Sequence, residues 1–271
     1  MDPQDTSQPE AGAEPQLMPA AFLGHGDPMN ALADNRYTRA WRGFGASVPR
    51  PRAILVVSAH WFVGSSLLTA MARPRTIHDF YGFPPELFAV GYPAPGAPEI
   101  AEEIAEVVRP RWLGLDRDGW GLDHGTWSVL VHAFPAADIP VIQLSVNSLE
   151  GYDEHFALGV RLAPLRARGI LIIGSGNVVH NLGLLDRGAG EVGSGWAVRF
   201  GEACTAALTG DPERSGGLAD HPDYRRAVPT PDHFLPLAPI AGLATASNQA
   251  ATVLVDGYLG GSLSMTSFRV G

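Results

Sequence analysis

The chain has 271 residues, of which 45% are hydrophobic, and a mean hydropathy near zero, enough to bury one sizeable α/β core and stay soluble. A net charge of −9 and a pI near 5.4 disfavour nucleic-acid binding, which draws its affinity from clustered Lys and Arg. No apolar run reaches the ~18 residues of a membrane span, and a lone cysteine, Cys204, excludes an internal disulfide, so a reduced, cytoplasmic setting is expected.

Residues 1–17, "MDPQDTSQPEAGAEPQL", are acidic, rich in Pro and Gln, and lack the basic start and apolar stretch of a secretory signal. They read as a disordered N-terminal tail, leaving 18–271 as a single catalytic domain. Four apolar runs bounded by turn residues predict strands buried on both faces: "PAAFL" from 19, "AILVVS" from 53, "PVIQLSV" from 140 and "GILIIG" from 169. Helical spacing lies between them. "APEIAEEIAEVVRPRW" starts at Pro98, carries Ile100, Ile104, Val107 and Val108 on one stripe and breaks at Pro110. "YDEHFALGVRLAPLRARG" has acids early, bases late and Gly169 just past its end. Cys204 falls in the helical "WAVRFGEACTAALTG" and reads as a packed thiol. The closing "GSLSMTSFRVG" predicts one more strand, at an edge. Strands alternating with helices imply a single α/β domain with a mostly parallel central sheet flanked by helices on both faces.

In such sheets ligands gather beyond the carboxyl ends of the strands, and three strands deliver histidines there. His25 follows "PAAFL" in "FLGHGDPMN", His60 closes "ILVVSAHW", and His180 follows "ILIIGSG" in "NVVHNL". His124 in "GLDHGTW" precedes a predicted helix, and His233 in "PTPDHFLPL" opens another. Imidazole serves as a metal ligand and as a proton carrier near neutral pH, and either use accounts for the clustering. The spacing does not suit a structural zinc finger; ligands from distant loops suit a preformed catalytic centre. Among the remaining histidines, His132 reads as core or surface and His155 as solvated, while His78 and His221 are open between substrate contact and ordinary loop structure.

Other motifs are weaker. "GSGNVV" at 174–179 lacks the third glycine of a dinucleotide turn, no G-x-S-x-G elbow is present, and no H-E-x-x-H pair occurs.

Together "FLGHGDPMNAL", "VVSAHWF", "TIHDFYGFP", "DHGTWSVL", "IIGSGNVVHNL" and "PTPDHFLPL" resemble the class III extradiol ring-cleaving dioxygenases, in particular the 4,5-DOPA extradiol branch, in order over residues 18–271. The resemblance implies a mononuclear non-haem Fe(II), with Zn(II) possible in the same site, and cleavage of a catechol ring by O₂ to a muconic semialdehyde-type product. It makes His25, His60 and His233 metal ligands, His124 the general acid or substrate-positioning group, and His180 the general base, close enough to count as a fourth ligand without substrate. The wider class uses two histidines and a glutamate, so three neutral imidazoles here leave the full dipositive charge on the metal. Asp232, beside the third ligand, either compensates from outside or caps a helix. Three protein ligands on one side leave room for a catechol and O₂. For the substrate, Phe80, Tyr81, Phe83 and Tyr224 are candidate ring contacts, and Arg36, Arg39 and Arg225 are candidate partners of a carboxylate. A zinc-dependent hydrolase using the same histidines is the alternative.

Overall fold

A computed structural model describes residues 17–271; apart from Leu17, the expected tail lies outside the described residues. The strands are β1 (Ala20–Gly24), β2 (Ala53–Val63), β3 (Leu67–Thr69), β4 (Gly114–Asp116), β5 (Val141–Asn147), β6 (Ile170–Gly176), β7 (Thr252–Val255), β8 (Tyr258–Leu259), β9 (Leu263–Ser264) and β10 (Ser267–Val270). The α-helices are α1 (Arg36–Ser47), α2 (Pro85–Phe88), α3 (Pro98–Val107), α4 (His124–Ala133), α5 (Tyr152–Leu162), α6 (Gly195–Gly210), α7 (Tyr224–Ala227) and α8 (Leu237–Ala246).

All but β8 and β9 join one sheet in the order β4-β3-β5-β2-β6-β1-β10-β7. Its centre, β5-β2-β6-β1, is parallel. The four predicted strands are these four, and their continuous apolar character follows from burial on both faces. In β2, Ala53, Leu55 and Val57 face one core with α3, α5, α6 and α8, where Ile104, Leu158, Phe200 and Ile240 pack. Ile54 and Val56 face the other, under Tyr37, Trp41 and Phe44 of α1 and Trp127 of α4. Two glycines let α5 and α8 cross closely: a Cβ on Gly159 would sit 2.1 Å from the Pro239 carbonyl oxygen, and one on Gly242 2.2 Å from that of Phe156. Cys204 is fully buried in the first core, as a packed thiol, and burial pushes its titration far up.

Local signals are placed as read. The helix from Pro98 ends before Pro110, and α5 tightens into a 3₁₀ turn at Ala163–Arg168, where Pro164 removes an amide donor, and stops on Gly169 at φ 78°. The last strand differs from expectation. β10 lies antiparallel between β1 and β7, so the edge belongs to β7. An apolar strand with Ser267, Phe268 and Val270 buried gains more inside the sheet, whereas β7 presents exposed Thr252 and Val253.

Candidate active site

Register explains why two histidines meet. Ser175 of β6 pairs with Leu23 of β1 on one side and Ser58 of β2 on the other, so His25 and His60 each stand two residues beyond the same rung. His25 follows the end of β1, held by its amide to the Gly176 carbonyl. β2 does not stop at its histidine. Against β5 the pairing jumps from Ser58↔Ser145 to Phe62↔Val146, and His60 lies in the unpaired stretch between, where a bulge re-aims the side chain. His180 follows β6, with its amide on the Ala227 carbonyl. His124 is the first residue of α4, whose N-cap Asp123 accepts from the Thr126 amide and from Ser58 Oγ at 2.7 Å. His233 lies in the turns before α8, and glycine is required beneath it. A Cβ on Gly176 would come within 2.2 Å of the His233 carbonyl oxygen, which also accepts from the Asn177 amide. The glycines of "GSGNVV" therefore serve close packing against this segment.

The five imidazoles form one cluster. Ring centroids lie 5.0 Å apart for His25 and His60, 5.3 Å for His25 and His233, 4.9 Å for His60 and His233, and 3.8 Å for His60 and His124. His180 stacks in parallel on His233 at 3.5 Å. Three of them, His25, His60 and His233, have the outer nitrogen beside a hydroxyl or a carboxylate. Ser175 Oγ donates to the Gly125 carbonyl, so it accepts from His25 Nδ1 at 2.9 Å and leaves Nε2 as the free lone pair. His60 Nδ1 lies 3.1 Å from Asp79 Oδ2, His124 Nδ1 lies 2.9 Å from Asp79 Oδ1 without good alignment, and His233 Nδ1 is bonded to Asp232. Such backing by hydroxyl and carboxylate is how metal-bound histidines are oriented.

The inner nitrogens then face each other. His25 Nε2 and His60 Nε2 are 3.1 Å apart. With both Nδ1 atoms protonated against their acceptors, two lone pairs at this distance repel unless a cation is shared, either a proton or a metal ion with nitrogens at ~2.1 Å. One nitrogen from each of His25, His60 and His124 lies within 4.8 Å of the other two. The donor set fits a divalent metal.

Charge balances around it. Burial first, then the neighbouring imidazoles, hold His25 well below the ordinary histidine range. Burial with the nearby His233 lowers His180 to about 3, and burial, only partly offset by Asp232, lowers His233 to about 4. His124 is lowered by burial and by His60. In His60 burial also opposes the charge, but Asp79, Asp123 and Asp232 outweigh it and the group is raised. Burial works to raise Asp79 and Asp232, yet their histidine contacts hold both below the usual carboxylate range. The lowered imidazoles are neutral donors, and the carboxylates behind the cluster would offset the charge of a dipositive ion.

Above the cluster opens a cavity of about 560 Å³. His60, His124, His180 and His233 line it together with the apolar side chains of Phe80, Phe83, Leu182, Leu185, Leu259 and Leu263. Tyr81 is 92% exposed and Tyr224 packs against Phe200 and Phe234, so neither expected ring contact lines the cavity. Arg39 pairs with Asp34, and Arg36 with Glu191 at the cavity wall. The cation that lines the cavity is Arg187, which the motifs did not mark.

The other histidines are structural. His132 bonds the Asn30 carbonyl through Nε2 and Arg42 through Nδ1, His78 bonds the Val90 carbonyl, and His221 Nδ1 accepts from the Asp223 amide. His155 corrects an expectation: it is 2% exposed, with Nδ1 donating to the Gly151 carbonyl and Nε2 accepting from the Asn147 amide. Its position in an early helical turn turns it inward to close β5 against α5. Asp79, Ser175 and Asp123 are the functional neighbours that sequence reasoning missed; Asp79 and Asp123 each adjoin a histidine, the same signal that marked Asp232.

Residues 24–262 match the family described as the catalytic LigB subunit of aromatic ring-opening dioxygenase. The chain belongs to this family, as the resemblance of its motifs to extradiol enzymes implied, and is thus an aromatic ring-opening dioxygenase by descent. It is 46% identical to a 4,5-DOPA dioxygenase extradiol of Escherichia coli (strain K12), covering 94% of this chain and 95% of that protein. A 4,5-DOPA dioxygenase extradiol of Beta vulgaris is 36% identical, covering 95% and 98%. The crystal structure of an uncharacterized protein from Escherichia coli K12 superposes with a TM-score of 0.81 at 42% identity, covering 94% of this chain and all of that one. Among the described residues no helix is long and apolar enough to cross a membrane.

Proposed function

We propose that the protein opens a catechol ring beside its paired hydroxyls with O₂, giving a muconic semialdehyde-type product, with Fe(II) as the working metal and DOPA or another substituted catechol as substrate. The observation that carries this reading is the convergence of five imidazoles, three of them backed on the outer nitrogen, beside an apolar cavity sized for a flat ring. His25, His60 and His233 would hold the metal. Fe(II) held there would lower the pKa of a catechol hydroxyl and supply redox chemistry toward O₂. Zn(II) fits the same nitrogens without redox chemistry. No feature of the family match favours the zinc hydrolase alternative.

His180, which lines the cavity beside His233, would take the catechol proton; burial and His233 keep its imidazole neutral. His124 would hold the proton that O–O bond cleavage requires, and Asp79, 2.9 Å from its Nδ1, would stabilise the charged form. Phe80, Phe83 and Leu263 exclude water from the ring. One competing ligand set replaces His233 by His124, because the nitrogens of His25, His60 and His124 lie so close. His233 is preferred for its bond to Asp232, which aims the free nitrogen. A cytoplasmic setting belongs to the same reading, supported by the single buried thiol.

The test is anaerobic reconstitution with Fe(II), then O₂ uptake and product absorbance over a panel of catechols. One O₂ consumed per ring opened, with no turnover by zinc-loaded protein, is the expected outcome. Absence of a ring-opened product from every catechol overturns the reading.

A further inference from the structure

We propose that Arg187 is the specificity-determining cation of the cavity, and that the preferred substrates are catechols whose ring substituent ends in a carboxylate. The inference rests on the ring-opening function proposed above and adds a recognition element in the wall of the same cavity.

Arg187 is the one Lys or Arg among the described residues that lines the cavity, in a chain of net charge −9. Its neighbours on that wall are mostly apolar: Leu182, Leu185 and Leu259. No carboxylate among the described residues forms an ion pair with it, although most arginines of this protein are paired; Arg36, for example, takes the nearby Glu191 at 3.0 Å. An unpaired guanidinium beside apolar walls is a site for an anion that enters with an apolar body.

The segment that carries it is built. Asp186 donates its amide to the Gly260 carbonyl and caps the turn Arg187–Ala189 by accepting from the Gly188 amide. The Gly260 amide donates to the Gly190 carbonyl, and the Ser194 amide to that of Gly261. Gly260, at φ 55°, permits this approach, since a Cβ there would meet Leu185 at 2.6 Å. Arg187 is thus tethered on both sides to the β8–β9 hairpin. The two acids of the lining are engaged elsewhere: Asp27 accepts from the Met29 amide, and Glu191 holds Arg36. With the hydroxyl-bearing edge of the ring at the histidines, a carboxylate on the ring substituent would find in Arg187 the cation that lines the same cavity.

The test compares Arg187→Gln, Arg187→Lys and the parent enzyme, all Fe(II)-loaded, on 4-methylcatechol, 3-(3,4-dihydroxyphenyl)propionate and DOPA. Arg187→Gln is expected to raise KM for the two carboxylates about tenfold, within the range of charge-assisted hydrogen bonds. KM for 4-methylcatechol and kcat for all three should stay within about twofold, and Arg187→Lys should recover part of the loss. Anaerobic calorimetry of 3-(3,4-dihydroxyphenyl)propionate binding to zinc-loaded protein should show the same loss of affinity without turnover. Equal KM changes for charged and uncharged catechols overturn the assignment while leaving ring opening intact. Failure of the parent enzyme to open any of the three defeats the function instead.

Discussion

Two sets of histidines divide this molecule. His132 and His155 have both ring nitrogens committed, to Asn30 and Arg42 in one and to Gly151 and Asn147 in the other. His25, His60 and His233 each have one nitrogen committed, and the free nitrogens of His25 and His60 face each other, with the His233 ring about 5 Å from both. Burial is common to both sets and so does not distinguish them: His155 is 2% exposed and His25 is 1% exposed. What separates a packed imidazole from a ligand is the nitrogen left over after the protein's own partners are counted.

Removing a proposed ligand breaks the contrast most severely. His60→Ala should abolish iron retention after gel filtration, measured by elemental analysis, and lower turnover by more than about 10³-fold, while circular dichroism stays native. The next effect belongs to the proposed proton carriers. His124→Phe and His180→Ala should each keep iron and lose about 10²- to 10⁴-fold in kcat; a His124→Phe protein that loses iron while His233→Ala keeps it would exchange their roles.

Gly176→Ala probes the backbone under His233. With no room for a Cβ, it should cost about 1–3 kcal/mol in urea denaturation and weaken iron binding, because the His233 segment must move. His155→Gln sharpens the other side of the comparison. It should cost about 1–3 kcal/mol through the unpaired Asn147 amide, with kcat per folded molecule unchanged.

The smallest effect is on pH dependence. Burial lowers the pKa of His155 in the folded protein, more than its bond to the Gly151 carbonyl raises it. The unfolded chain therefore binds a proton first, and the stabilisation is complete above about pH 6.5 and lost as pH falls from there toward the folded value. Urea midpoints at pH 7 and pH 5.5 should converge more in His155→Gln than in the parent; an identical slope would remove His155 from the acid response.

The four central strands and the helices from Pro98 and Tyr152 were legible because apolar runs, helical stripes and a terminal glycine act over a few residues. The histidine cluster was legible as well, since strands of a parallel sheet end on one edge whatever their order. Harder to read were Ser175 and Asp79, whose partners lie 150 and 19 residues or more away along the chain: His25 for the first, His60 for the second. Tyr81 and Tyr224 looked like ring contacts because aromatic loops carry no sign of which way they face.

By itself the amino-acid order determined which segments are strands and helices, that histidines stand at strand ends, and the family to which those motifs belong. Tertiary structure alone decided which nitrogens stay free, that β2 bulges at His60, and that Arg187 reaches the cavity. The reason is physical: local pattern is set by steric and hydrophobic preferences over a turn or a strand, whereas hydrogen-bond satisfaction and cavity lining depend on partners that only register and packing bring together.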